Sequence, residues 1–150
     1  MKGISFRKWI HPFLIKILQI KSKFSGLTYE FVNENRLKVT DNTAIYAITH
    51  IGKYDLEMVW EACPAMFGYV FAGDWELMYA TIDDYFMRTI GVLWVDTSDK
   101  EDRKNSFRMM CKYLKQGVPI IIFPEGIWNL TPNLPMMKIY PGVVQAAQEC

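Results

Sequence analysis

Hydrophobic positions follow two rhythms along this chain. Near the N-terminus Phe6, Trp9, Ile10, Phe13, Leu14, Ile17 and Leu18 recur at steps of three and four, with Arg7, Lys8, Lys16, Lys21 and Lys23 around them. That spacing predicts one amphipathic helix, which Pro12 kinks or restarts. From residue 44 onward, unbroken apolar runs (44–49, 68–72, 91–96 and 118–123) alternate with stretches of helical period (55–62, 75–89, 100–116 and a last one starting near Gly142). Runs that are apolar on both alternating faces read as strands covered on both sides. Their alternation with helices predicts an α/β fold, a largely parallel sheet covered by helices and preceded by the N-terminal amphipathic helix. The clearest helix is 100–116. Phe107, Met110, Cys111 and Leu114 share a face, acidic residues Asp99, Glu101 and Asp102 stand at its start, and Gly117 closes it.

Residues 25–43 read as a connecting stretch with a turn at Thr40-Asp41-Asn42-Thr43. The organisation expected is therefore a basic helix and connector over 1–38, then one α/β domain over 39–150. A helix that follows a strand normally leads to a further strand. The last helix ends at Cys150 with none after it, so the α/β domain is expected to be incomplete at its C-terminus.

Charge sharpens that division. Residues 1–38 hold eight Lys/Arg against Glu30 and Glu34, whereas residues 39–150 hold nine basic and fourteen acidic residues. A basic end on an acidic body points to an anionic surface met by the N-terminus. The cations are interleaved with large aliphatic side chains, so a membrane surface is expected and nucleic acid is not. The equally open alternative is a helix that packs its stripe on the rest of the protein. An aromatic share of 15% is high and fits either a large aromatic core or greasy surfaces. No stretch reaches the roughly 20 apolar residues of a transmembrane helix, and no secretory signal is visible. Cys63, Cys111 and Cys150 have no metal-type spacing and no even disulfide count. Cys111 is expected to act as a small apolar residue, in a reducing compartment.

Candidate chemistry gathers where two apolar runs end. The run 44–49 leads into His50-Ile51-Gly52-Lys53-Tyr54-Asp55, and the run 118–123 into Pro124-Glu125-Gly126. Parallel α/β sheets collect their sites outside the carboxyl ends of strands. A histidine titrating near ~6.5 accepts a proton at neutral pH, provided its other ring nitrogen is held. Gly52 permits a turn that brings a carboxylate at Asp55 to the start of a helix, where it orients His50. No Gly-x-Ser-x-Gly elbow supplies a protein nucleophile, so a substrate hydroxyl is expected to attack, with His50 as general base and no metal or cofactor. A His-x4-Asp spacing alone is a weak signal, because a helix-capping Asp gives the same pattern. Glu125 follows a strand-ending proline and precedes a glycine. It is expected to bind acceptor hydroxyls or to orient the loop, against the plainer reading of a surface turn.

Taken together, His50-x4-Asp55, Gly91-Val92-Leu93-Trp94-Val95-Asp96 and Phe123-Pro124-Glu125-Gly126 resemble, in order, three blocks of the phospholipid/glycerol acyltransferase family, typified by lysophosphatidate acyltransferases. The resemblance covers roughly 40–150. It implies that His50 is the base, that Asp55 orients it, and that Glu125 and Gly126 hold the acceptor. It implies transfer of a fatty acyl group from acyl-CoA or acyl carrier protein to a hydroxyl of a glycerolipid or lysophospholipid, at the cytoplasmic face of the cell membrane, by a peripheral protein. The alternative is a non-enzymatic, membrane-binding remnant of the same fold, and a hydrolase using water is a more distant one.

Three residues depart from the family pattern. Thr97 and Trp128 stand where the second and third blocks carry Arg, and Ile127 stands where the third carries Thr; the family's final proline-containing strand block is absent. Because the family's arginines are associated with the acceptor phosphate, the expectation is weak discrimination between phosphorylated and uncharged acceptors, unless Lys53, Arg88 or Arg103 substitutes. Asn129-Leu130-Thr131 is a formal glycosylation sequon and is read as chance.

Overall fold

The computed structural model describes residues 2–26, 28–30, 32, 43–52, 54–63, 67–73, 82–131 and 135–150. Most of the 25–43 connector, Lys53 and residues 75–81 of the helix expected over 75–89 lie outside the described residues. The chain divides into two compact units, Met1–Asp41 with Lys53–Phe67, and Asn42–Gly52 with Gly68–Cys150.

The first unit pairs helix α1 (Lys2–Phe24) with helix α2 (Asp55–Ala62). α1 runs without a break across Pro12, whose ring removes one backbone donor from the ladder. No restart occurs. The apolar stripe expected on α1 resolves into two faces. His11, Leu14, Ile15, Leu18 and Ser22 are buried, while Trp9, Phe13, Ile17, Ile20 and Phe24 stay exposed, Trp9 at 76% and Phe24 at 90%. The side chain of Phe6 lies outside the described part. On α2 the buried residues are Asp55, Glu57 and Trp60. Lys21 Nζ reaches Glu57 Oε1 at 3.4 Å, and His11 meets Trp60 and Phe67 edge-on, at centroid distances of 6.0 and 5.4 Å. None of the described helices is long and apolar enough to cross a membrane.

The second unit is built on a four-stranded sheet, β1 (Ile45–Ala47), β2 (Tyr69–Ala72), β3 (Val92–Trp94) and β4 (Ile120–Ile122), in the order β1-β4-β2-β3 with every pair parallel. Val70, Val92, Ile120 and Ile121 are essentially inaccessible, as expected for strands covered on both faces. β2 lies close to the stretch entering β4: a Cβ at Gly68 would stand 2.9 Å from the Pro119 carbonyl oxygen, so only glycine fits.

The helices of this unit are α3 (Ile82–Ile90), α4 (Lys100–Lys115) and α5 (Gly142–Glu149). α4 begins as its acidic start implies, with the Asp99 carboxylate accepting the Glu101 N–H at 2.8 Å. It buries Met110 and Leu114 and packs against β4 and α5, and α5 packs also on β1. One expectation is corrected here. Cys111 is not an isolated apolar filler, because its sulfur is bonded to that of Cys150, joining α4 to the end of α5 across a Cα–Cα distance of 4.9 Å.

Candidate active site

Register brings the two strand exits together. Ala47 pairs with Ile122 at the carboxyl ends of β1 and β4. Three residues farther along each strand come His50 and Glu125. The Ile48 N–H still donates to the Ile122 carbonyl at 3.0 Å, so the chains leave the sheet side by side, and the His50 N–H donates to Glu125 Oε1 at 3.2 Å. Two residues separated by 75 positions are thus joined by the geometry that parallel pairing dictates.

Glu125 is not a surface turn residue. It is 1% exposed, and its second oxygen, Oε2, accepts the Met137 N–H at 2.8 Å. Charge-assisted bonds to backbone N–H groups are stronger than neutral ones, so the carboxylate ties the His50 loop to the segment leading into α5. The next residue, Gly126, has φ +68, and a Cβ there would press on the Tyr140 ring at 3.1 Å. The Tyr140 N–H donates to the Pro124 carbonyl at 2.8 Å, which closes the same turn against the 137–140 segment.

The imidazole of half-buried His50 is framed by aromatic rings. Phe123 stacks on it at a centroid distance of 4.4 Å with 24° between planes. Trp128 meets it edge-on at 6.0 Å and 89°. The Asn129 N–H donates to the His50 carbonyl at 2.6 Å. Both backbone polar groups of His50 are therefore engaged by the 125–129 turn. Phe123, Asn129 and Met137 are not among the site residues expected from sequence, although Phe123 belongs to the Phe123-Pro124-Glu125-Gly126 block; the first two become visible once residues are counted outward from the paired strand ends. The side-chain oxygen of Asn129, the first residue of the sequon, accepts from the Thr131 N–H and hydroxyl.

Asp55 opens α2 in the first unit and is 4% exposed. The helix-capping reading of the His-x4-Asp spacing does not apply, since the N-cap is Tyr54 and it makes no side-chain cap bond. A carboxylate in the first turn is favoured by the helix dipole. His50 and Gly52 belong to the sheet unit and Asp55 to the helical unit.

The basic residues considered as phosphate ligands have other engagements. Arg88 Nε donates to Asp84 Oδ1 at 2.7 Å, an oxygen that also accepts the Trp94 indole N–H at 2.6 Å. Arg103 donates to the Thr97 carbonyl, and Lys53 lies outside the described residues. The turn exposes Ile127, Trp128 and Leu130. Free Cys63 is buried, and burial pushes its thiol up from its ordinary value, which makes it a poor nucleophile.

Comparison with known proteins agrees with this architecture. The chain superposes on the crystal structure of the 1-acyl-sn-glycerophosphate (LPA) acyltransferase PlsC from Thermotoga maritima with a TM-score of 0.66 at 17% identity, over 94% of this chain and 54% of that one. At that identity the likeness is one of fold, and the chain spans about half the length of its structural relative. No curated protein matches the sequence. The family model described as Acyltransferase matches residues 29–150. It covers the His50 strand exit, α2 and the Glu125 turn alike, and the chain belongs to the acyltransferase family.

Proposed function

We propose that this chain carries the reacting groups of an enzyme that transfers a fatty acyl group from acyl-CoA or acyl carrier protein to a hydroxyl of a glycerolipid or lysophospholipid. The observation that carries the reading is the joining of His50 to the Glu125 turn at the carboxyl ends of adjacent parallel strands. His50 takes the proton of the acceptor hydroxyl as its oxygen attacks the thioester carbonyl. The carbon–sulfur bond then breaks, and the imidazolium returns the proton to the leaving thiolate. Asp55 is assigned the task of orienting the imidazole on the strength of the His-x4-Asp spacing. The apolar lip at Ile127, Trp128 and Leu130 suits an acyl chain better than a dianionic head group.

The exposed stripe of α1, flanked by exposed Lys8, Lys16 and Lys23, supports a peripheral position on the cytoplasmic face of a membrane. The deciding experiment measures acyl transfer from acyl-CoA and from acyl carrier protein to lysolipids by the intact protein and by its His50→Ala variant. Transfer that disappears in the variant supports the mechanism. Near-parental turnover by the variant sinks it, and no transfer by either protein leaves the non-enzymatic membrane-binding reading in its place.

A further inference from the structure

We propose that Glu125 is a positioning residue for His50, acting through the backbone rather than on the acceptor. The inference rests on the reading of His50 as the base, and it departs from the acceptor-binding role that the family resemblance implies.

The geometry argues for it at both ends of the carboxylate. Oε1 accepts the His50 N–H and Oε2 the Met137 N–H, so one side chain spans a strand exit 75 residues earlier and a loop 12 residues later. At 1% exposure it presents almost no surface to an incoming hydroxyl. A buried carboxylate is expensive unless its oxygens are satisfied, and two backbone donors meet that need while fixing the loops that carry them. The effect on His50 is threefold. Glu125 holds its N–H, the same turn returns the Asn129 N–H to its carbonyl, and Phe123 and Trp128, on either side of Glu125, bracket the ring. With both peptide groups and a ring face held, the imidazole is aimed before any substrate arrives. Such preorganisation matters because a displacement of about 1 Å at a reacting group lowers rates by about 10²-fold.

Glu125→Gln is the sharp test. It keeps size, but its amide nitrogen turns a donor toward one of the two N–H groups. Three quantities are compared in the intact protein: kcat and acceptor KM for acyl transfer, the rate of acyl-CoA hydrolysis with water as acceptor, and the NMR resonances of the His50 amide and ring. The expected result is a fall in kcat of about 10²-fold, an equal fall in hydrolysis, an acceptor KM within about twofold, and an upfield shift of the His50 amide with a broadened ring signal. Glu125→Asp, which keeps the charge with a shorter reach, is expected to recover part of the loss. A raised acceptor KM with unchanged hydrolysis would return Glu125 to acceptor binding and overturn the proposal, as would rates that do not change. Should the parent itself show no turnover, the acyl-transfer reading fails separately. The positioning role is then decided by NMR, upheld by a shifted and broadened His50 and overturned by an unmoved one.

Discussion

The two histidines of this chain both sit among aromatic rings, and they differ in almost everything else. His11 lies in the middle of α1, is 5% exposed and meets Trp60 and Phe67 edge-on. His50 is half-buried at the end of β1, stacked on Phe123, with its peptide groups held by Glu125 and Asn129. Ring contacts therefore do not mark a site. In a helix interior the backbone around a histidine is already satisfied by the helix itself, and the side chain is left to fill space. At a strand exit the backbone runs out of ladder partners, so distant residues must supply them. The residues that do so here, Glu125 and Asn129, belong to the same turn as Phe123 and Trp128, whose rings bracket the imidazole.

The largest effect expected from this contrast is catalytic. His50→Ala should lower acyl transfer by roughly 10²–10⁴-fold, the usual contribution of a positioned base, while the circular dichroism spectrum and unfolding midpoint stay close to parental. Next comes Asp55→Asn, which keeps the shape of the α2 start but removes its charge. A fall in kcat on the order of 10²-fold is expected, with acceptor KM little changed. An Asp55→Asn protein that turns over normally would confine the chemistry to the 50–52 and 123–129 loops.

Much of this was legible beforehand, and the gaps have physical causes. Helix α2 occupies the range read from its period, 55–62, and α4 differs from its expected range by one residue. The strands come out shorter than their apolar runs. Val118 and Pro119 are buried like Ile120 and Ile121 but precede β4, and Pro119, which has no N–H, reaches β2 only through its carbonyl, which accepts the Tyr69 N–H; periodicity reports burial and not the extent of strand pairing. The stripe of α1 merged two faces into one, since steps of three and four recur on any face and only packing against α2 tells Leu14 from Phe13. His50, Asp55 and Glu125 stood out by type and position. The bond between His50 and Glu125 did not, because it depends on the register of β1 against β4. The Cys111–Cys150 link was invisible for a related reason: it needs α4 and α5 side by side, and three cysteines do not announce a pairing.

A smaller effect concerns the acceptor. With Arg88 held by Asp84 and Arg103 by Thr97, the parent is expected to transfer to lysophosphatidate and to an uncharged lyso-acceptor at comparable rates. Trp128→Arg places a guanidinium beside His50 and should raise the preference for the phosphorylated acceptor about tenfold, equivalent to one charge-assisted bond of about 1.4 kcal/mol. A parent that already prefers lysophosphatidate strongly would show that the phosphate is met by other cations. The two faces of α1 offer a smaller contrast in binding. Phe13→Ser on the exposed face should weaken attachment to anionic vesicles several-fold without moving the unfolding midpoint, and added salt should weaken the parent's attachment in the same way. Leu14→Ala on the buried face should do the reverse, destabilising the protein by about 2–5 kcal/mol while vesicle binding persists below its unfolding temperature. Equal vesicle binding by parent and Phe13→Ser would assign the exposed stripe to something other than a lipid surface.

The smallest expected effect returns to the first comparison. If the part His11 plays is its edge contacts with Trp60 and Phe67, then His11→Phe retains an aromatic ring in the same position. The larger ring adds volume at a buried position, and overpacking of that kind typically costs about 1–3 kcal/mol. A thermal scan should show a fall of several degrees, and below that transition kcat and KM should match the parent's within error. The measurement has force because the same ring change at His50 removes the proton acceptor: His50→Phe should keep the Phe123 and Trp128 packing and lose the reaction. The pair of variants holds aromatic packing constant and changes only the capacity to take a proton. Loss of activity in both, with His11→Phe still folded by circular dichroism, would mean that the reaction depends on the nitrogens of His11 as well, and the distinction drawn between a packed histidine and one held at a strand exit would fail.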